Sequence, residues 1–139
     1  MLAYDVFNGD ADGICALAQL RLAEPREAVL ISGIKRDIEL LEQVPLGQTA
    51  AITALDISFD KNRDRVAKLL ANGSSVFYCD HHHAGDLPEH PNLTTIINTA
   101  PEVCTSLLIN GFLKGAFASW AVVGAFGDNL GRSAQALAA

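Results

Sequence analysis

Short apolar segments alternate along this chain with amphipathic ones. The continuously apolar segments predict strands, at 2–8, 28–34, 50–58, 75–80 and 94–98. Apolar residues at helical spacing predict helices between and after them, at 12–24, 36–44, 61–73 and 100–112. In the first helix the spaced residues are Ile14, Leu17, Ala18 and Leu22. Strands separated by such helices indicate βαβ units, so we expect an α/β fold with a doubly wound, mostly parallel five-stranded sheet and helices on both faces.

Local signals set the predicted ends of several helices. Pro45 ends the second, and Asn72 with Gly73 ends the third. Thr99 and Glu102 have the spacing of a capping box, which predicts that the fourth helix begins at Ala100.

The last quarter of the chain has two more helical segments. The uncharged run 115–127 is shorter than the roughly 20 apolar residues of a membrane-spanning helix, so we predict a buried helix with Trp120 as a packing anchor. If its apolar surface is exposed instead, it is suited to face a second copy of the chain or a further domain. Segment 131–139 reads as the start of another helix, which is compatible with a domain boundary or a truncation after about Gly131.

Length and charge narrow the function classes. With 139 residues, 50% of them hydrophobic, the chain has the size of one domain. The 10 basic and 16 acidic residues give a net charge of −6, which disfavours membrane surfaces and long duplex DNA as partners. A polyanionic substrate would need bound cations. Three cysteines, Cys15, Cys79 and Cys104, form no C-x-x-C pair, so we interpret them as reduced, structural thiols of a cytoplasmic protein.

Polar residues follow three of the predicted strands. Asp10 and Asp12 come after the first, Asp56 after the third, and the run beginning with Asp80 after the fourth. Parallel strands place their carboxyl ends, and therefore their active sites, at one edge of the sheet. Any single aspartate of this kind can instead be a helix cap. Carboxylates mixed with imidazoles favour Mn²⁺, Mg²⁺ or Zn²⁺, and the scarcity of thiols among them favours manganese or magnesium. More than four candidate ligands favour two ions over one.

Four motifs carry a family resemblance. NGDADG (8–13), LDIS (55–58), DHHHA (80–84) and GAFGDN (124–129) resemble, in order and spacing, the motifs of the DHH phosphoesterase superfamily, which includes RecJ-type exonucleases and exopolyphosphatase-like enzymes. The resemblance covers the chain from Tyr4 to about Asn129, with Asn8 where many relatives have aspartate. It implies that two Mn²⁺ or Mg²⁺ ions bind here, with Asp56 bridging them. The implied ligands are Asp10, Asp12, Asp56, His81 and Asp128.

The same resemblance assigns roles within the histidine run. It implies that His82 contacts the scissile phosphate and assists protonation of the leaving group, and that Asp80 accepts an N–H from a neighbouring imidazole. Asp56, Asp80 and His82 are thus the expected catalytic residues. His83 lies outside the motif, and we favour an exposed or loop-packing residue over a substrate contact. Asn8 either weakens one metal site or shapes the turn.

The expected function is hydrolysis of phosphodiester, phosphomonoester or phosphoanhydride bonds by a metal-activated water. Small nucleotides, oligonucleotides or polyphosphate are the expected substrates. The family's usual C-terminal substrate-binding domain is not among these residues, so we expect a single DHH-type domain over 1–139. The alternative is a metal- or nucleotide-binding module without turnover. A structural zinc site is disfavoured because closely spaced cysteine pairs are lacking.

Two weaker signals remain. Lys35 to Asp37 could contact a phosphate, although a solvated first helical turn is favoured. Thr105 and Ser106 are interpreted as ordinary residues inside the fourth helix, away from the metal edge.

Overall fold

The protein is built on a single parallel sheet. The computed structural model describes residues 2–34 and 39–139. The strands are β1 (Leu2–Asn8), β2 (Val29–Gly33), β3 (Ala50–Leu55), β4 (Ser75–Asp80) and β5 (Leu93–Ile97). They pair in the order β2-β1-β3-β4-β5, every pair parallel. The strand order changes direction beside β1, which is where doubly wound sheets open a crevice at their carboxyl edge.

Helices cover both faces of this sheet, which confirms the predicted fold class. They are α1 (Ala11–Ala23), α2 (Phe59–Ala71), α3 (Thr105–Phe112), α4 (Ala118–Gly127) and α5 (Gly131–Ala138). As predicted, α2 ends at Asn72 and Gly73, and Gly73 has the left-handed φ of 92° that glycine adopts without a steric penalty. The segment after Gly131 is helical, also as predicted.

Two apolar layers hold the helices to the sheet. Val6 of β1 belongs to the layer that packs against α2, and Phe7, the next residue, to the layer under α1 and α3. Leu55 and Cys79 lie in the same layer as Phe7. Successive strand residues point to opposite faces, and both faces are covered here. The central strands are therefore apolar without alternation, which is why they could be recognised in the sequence.

The predicted helix at 36–44 is wrong in its described part. Residues 35–38 lie outside the described residues, and with them the proposed phosphate contact of Lys35 to Asp37. The next segment forms a single 3₁₀ turn, Leu40–Gln43. Leu40, Leu41 and Val44 are all buried in the α2-side layer, and Pro45 comes directly after them. Their spacing reflects one buried turn and not a longer amphipathic helix.

The predicted start of the fourth helix is also wrong. α3 begins at Thr105 after Cys104, five residues later than the capping box indicated. Residues before it form turns, in which Asn98 accepts the N–H of Ala100 at 3.0 Å. The carboxylate that accepts the first N–H groups of α3 comes from a distant part of the chain.

Two helices bury a different face from the one predicted. In α1, Ile14 and Leu22 are about half exposed, because α1 packs beside α3 and α4 and leaves β2 uncovered. In α4 the small residues Ala121, Gly124 and Ala125 are buried. Trp120 is 42% exposed and so is not the predicted buried anchor. The helical part of the run 115–127, which is α4, is therefore a half-exposed apolar helix.

None of the helices in the described part of the chain has the length and apolar character needed to cross a lipid bilayer.

Candidate metal centre

The turn after β1 presents the first two aspartates. The side-chain oxygen of Asn8 accepts the N–H of Asp10 at 3.3 Å, so Asn8 shapes this turn. Asp10 caps α1 by accepting the N–H of Gly13 at 2.9 Å. A Cβ on Gly13 would lie 2.0 Å from the carbonyl oxygen of Asn8, so only glycine fits. This tight entry into α1 places Asp12, which is fully buried, at the carboxyl edge of the sheet.

Asp56 follows β3 in a strained conformation. Its φ is 63°, in the left-handed region that residues other than glycine rarely adopt, and its N–H donates to the carbonyl of Cys79 at 3.0 Å. Such strain costs about 1–3 kcal/mol and persists only where the surroundings impose it. The turn directs a carboxylate that is 2% exposed toward the same edge as Asp12.

The end of β4 provides a carboxylate and two imidazoles. Asp80, the last strand residue, is fully buried, and its Oδ1 lies 2.6 Å from Nδ1 of His82. This hydrogen bond raises the pKa of His82, and its effect is larger than that of burial, which lowers the pKa. The Oδ2 atom of Asp80 has no hydrogen-bond partner among the described residues. His82 is the neighbouring imidazole that Asp80 contacts, while His83 is exposed to solvent.

Close helix packing positions Asp128, which caps the C-terminus of α4. Gly127 and Gly124 of α4 pack tightly against their neighbours. A Cβ on Gly127 would lie 2.6 Å from Cβ of Ala11, and a Cβ on Gly124 would lie 2.2 Å from Oγ of Ser106. These small residues let α4 approach α1 and α3 closely enough for Asp128 to reach the sheet edge.

Three carboxylates meet there around one imidazole nitrogen. Nε2 of His81 lies 3.1 Å from Oδ1 of Asp56, 3.4 Å from Oδ2 of Asp128 and 3.6 Å from Oδ2 of Asp12. The aspartates belong to three separate segments of the chain. Asp12, His81 and Asp128 offer ligand atoms within 4.8 Å of one another, and so do Asp56, Asp80, His81 and His82.

Asp10 lies outside both of these groups. Its carboxylate caps α1, and it is close enough to Asp56 to influence the ionisation of that residue. Burial, together with the carboxylates of Asp12 and Asp10, raises the pKa of Asp56 to about 10. Carboxylates so buried and so close to one another repel when ionised, and a divalent cation would relieve that repulsion.

Thr105 and Ser106 belong to this cluster, contrary to the sequence-based interpretation. The N–H groups of Thr105 and Ser106 donate to Oδ2 and Oδ1 of Asp12 at 3.0 and 2.7 Å. The hydroxyl of Thr105 donates to Oδ1 of Asp56 at 3.1 Å. No local signal in the sequence could have found them, because the carboxylate that caps α3 lies 93 residues earlier and the start of the helix after Cys104 is known only from the structure.

The cysteines are buried and unpaired, as the structural interpretation requires. Burial is the main cause that raises the pKa of Cys15, Cys79 and Cys104. Neutral thiols of this kind are inert packing groups and poor metal ligands.

The fold is similar to that of part of a protein of known structure. A crystal structure of the exonuclease RecJ bound to manganese superposes with a TM-score of 0.61 and 24% sequence identity, over 97% of this chain. The match spans 41% of the RecJ chain, so this protein covers less than half the length of that relative. No protein-family model matches the sequence, and no curated protein is significantly similar to it.

The donor set of the cluster suits a hard divalent cation. It is rich in carboxylate oxygens, contains imidazole nitrogens and lacks an ionised thiolate among its described members. The buried Oδ2 of Asp80, without a hydrogen-bond partner in the described part of the chain, is a further atom that a cation or its water could satisfy. The arrangement can therefore hold a metal ion at the edge of the sheet.

Proposed function

We propose that this chain is the metal-binding domain of a DHH-type phosphoesterase that uses two Mn²⁺ or Mg²⁺ ions. The observation that carries the proposal is the meeting of Asp12, Asp56 and Asp128 around Nε2 of His81. The four DHH-like motifs supply these residues, and the RecJ-like fold supports the assignment.

In this proposal the residues that would hold the metal ions are Asp10, Asp12, Asp56, His81 and Asp128, and Asp56 would bind both ions. Asp56 belongs to one of the two groups of potential ligands, and its Oδ1 lies 3.1 Å from Nε2 of His81, the residue common to both groups. In addition to burial, the nearby carboxylates of Asp12 and Asp10 raise the pKa of Asp56, which supports this role. Ions held by these residues would lower the pKa of a bound water and would stabilise the attacking and leaving oxygens of a phosphoryl displacement.

His82 is the proposed proton donor to the leaving group. Its side chain is 41% exposed and so accessible to a substrate, and Nδ1 is held by the buried Asp80 at 2.6 Å. The carboxylate fixes the orientation of the ring and favours its protonated form. Asp80 thus acts through His82.

The proposed substrates are small nucleotides, oligonucleotides or polyphosphate. The chain carries a net charge of −6, so it repels long polyanions and depends on its metal ions to attract a phosphate. Short substrates that bind at the carboxyl edge of the sheet, where the metal ions would lie, avoid most of that repulsion.

The test is a turnover assay with a phosphodiester, pyrophosphate and polyphosphate in the presence of Mn²⁺. We expect hydrolysis of at least one of them, abolished by EDTA and lowered by about a thousandfold or more in Asp56→Ala, because electrostatic stabilisation is the main source of phosphoryl-transfer rate. His83→Ala is the matched control and should keep the wild-type rate. Metal binding without any turnover would favour the binding module, and equal rates for wild type and Asp56→Ala would contradict the proposed site.

A further inference from the structure

The amino terminus of α3 is attached to the metal centre through Asp12. Cys104, the N-cap residue, provides no side-chain hydrogen bond, and the N–H groups of Thr105 and Ser106 donate instead to the two oxygens of Asp12. Ser106 also donates its hydroxyl to the backbone carbonyl of Asp12 at 2.8 Å. A carboxylate that follows β1 therefore serves as the cap of a helix 93 residues later.

Thr105 makes a second contact, from its side chain. Its hydroxyl is fully buried and lies 3.1 Å from Oδ1 of Asp56. The hydroxyl is the donor in this contact. With a metal ion bound, Asp56 would be ionised and could only accept, so the direction would be the same. One residue of α3 thus donates to two carboxylates, to Asp12 from its backbone and to Asp56 from its side chain.

The Thr105 hydroxyl contacts a carboxylate, that of Asp56, whose orientation depends on its neighbours. Asp56 is held at a strained φ of 63° and is almost completely buried, so its orientation is imposed by its neighbours. The same Oδ1 atom is in contact with Nε2 of His81. Loss of the Thr105 donor would leave the Asp56 carboxylate in contact with His81 and Asp10, both of which are themselves proposed ligands.

We propose that Thr105 is a positioning residue of the metal centre, whose hydroxyl fixes the orientation of Asp56. The role rests on the proposed function, since it presupposes that Asp56 binds metal. Donors that orient metal ligands typically change metal affinity by about 10–100-fold when they are removed.

The experiment measures the Mn²⁺ dissociation constant by calorimetry for wild type and three Thr105 variants. Thr105→Ser keeps the hydroxyl, Thr105→Ala differs from it by one oxygen, and Thr105→Val keeps the volume without the hydroxyl. We expect wild type and Thr105→Ser to bind within about threefold of each other, and Thr105→Ala and Thr105→Val to bind about tenfold or more weakly. Thr94→Val, at an exposed position of β5, is the control and should bind like wild type.

The comparison of Thr105→Ser with Thr105→Ala separates the effect of the hydroxyl from that of side-chain packing. Equal affinities for Thr105→Ser and Thr105→Ala would overturn the role of the hydroxyl, even if Thr105→Val fails to fold. Wild-type protein that binds no Mn²⁺ would overturn the metal centre itself. Because affinity is measured without substrate, a protein with normal binding and no turnover would leave the role of Thr105 in place while contradicting the proposed catalytic activity.

Discussion

Gly124 of α4 is packed against Ser106 of α3 so closely that a Cβ on Gly124 would lie 2.2 Å from the Ser106 hydroxyl oxygen and 2.6 Å from its Cβ. The serine is tied to Asp12 through its N–H and its hydroxyl. Helix packing and the metal centre are thus linked at this point.

We therefore expect Gly124→Ala to destabilise the protein by about 1–3 kcal/mol, the usual penalty of overpacking, and to weaken Mn²⁺ binding. The control is Gly111→Ala in α3, where an added Cβ would meet no described atom within 4 Å. It should stabilise the helix by about 0.5–1 kcal/mol. Urea denaturation measures both, and a Gly124→Ala protein as stable as Gly111→Ala would show that this contact can relax.

The histidine run offers a comparison within three residues. Nε2 of His81 lies among three carboxylates, whereas His83 is exposed. His81→Ala should weaken Mn²⁺ binding by about a hundredfold or more. Removal of a residue that only orients a metal ligand already lowers metal affinity by about 10–100-fold, and removal of a ligand itself should lower it at least as much. His83→Ala should leave affinity and turnover nearly unchanged. Equal losses in calorimetric titrations of the two variants would mean that the imidazoles have been assigned wrongly.

The metal-free protein should become less stable as the pH rises. The pKa of Asp56 is raised to about 10 in the folded chain, against about 4 for an unfolded aspartate. Between these two pH values the folded chain therefore keeps a proton on Asp56 that the unfolded chain has lost. Its contribution to stability is complete below about pH 4 and is lost progressively toward pH 10.

Thermal unfolding in EDTA at pH 5 and pH 8 measures this dependence. Wild type should unfold at a lower temperature at pH 8, Asp56→Asn should show a smaller difference, and added Mn²⁺ should restore wild-type stability at pH 8. A wild-type protein that gains stability between pH 5 and pH 8 in EDTA would contradict the ionisation described for Asp56.

A second charged cluster lies away from the metal edge. Asp5, 1% exposed in β1, accepts hydrogen bonds from Arg21 at 2.9 Å and from Arg26 at 2.7 Å. Both arginines also donate to the Thr53 hydroxyl. Asp5→Ala should lower the free energy of unfolding by about 3 kcal/mol, since it leaves two partly buried guanidinium groups without the carboxylate that balances their charge.

The control is Glu42→Ala, which removes a 3.6 Å ion pair between Arg65 and an exposed carboxylate. It should cost less than about 1 kcal/mol in urea denaturation. Both variants should bind Mn²⁺ like wild type, and a loss of affinity in Asp5→Ala would show that the cluster influences the metal edge.

The sequence predicted the sheet well because its central strands are buried on both faces. β1 (Leu2–Asn8) and β4 (Ser75–Asp80) have the predicted bounds, since continuous apolar runs leave little ambiguity. Knowing where parallel strands end was enough to expect Asp12, Asp56 and His81 at one edge.

The errors come from contacts between distant residues. Thr105 meets Asp12 across 93 positions, and a cap supplied from so far along the chain leaves no local signal. The segment containing α4 is apolar on all sides, so the sequence did not say that Gly124 would face inward and Trp120 outward. α4 turns its small residues inward because only small side chains fit where α1 and α3 approach it closely.

We propose that Asp56 is a ligand shared by two divalent ions. Titration of metal-free protein with Mn²⁺, followed by the loss of the free-ion signal in electron paramagnetic resonance, tests it directly. We predict two bound ions per chain in the wild type and weakened binding of both in Asp56→Ala, because a shared ligand supports both positions. Wild-type protein that binds no Mn²⁺, or an Asp56→Ala variant with the same stoichiometry and affinity as wild type, would contradict the claim.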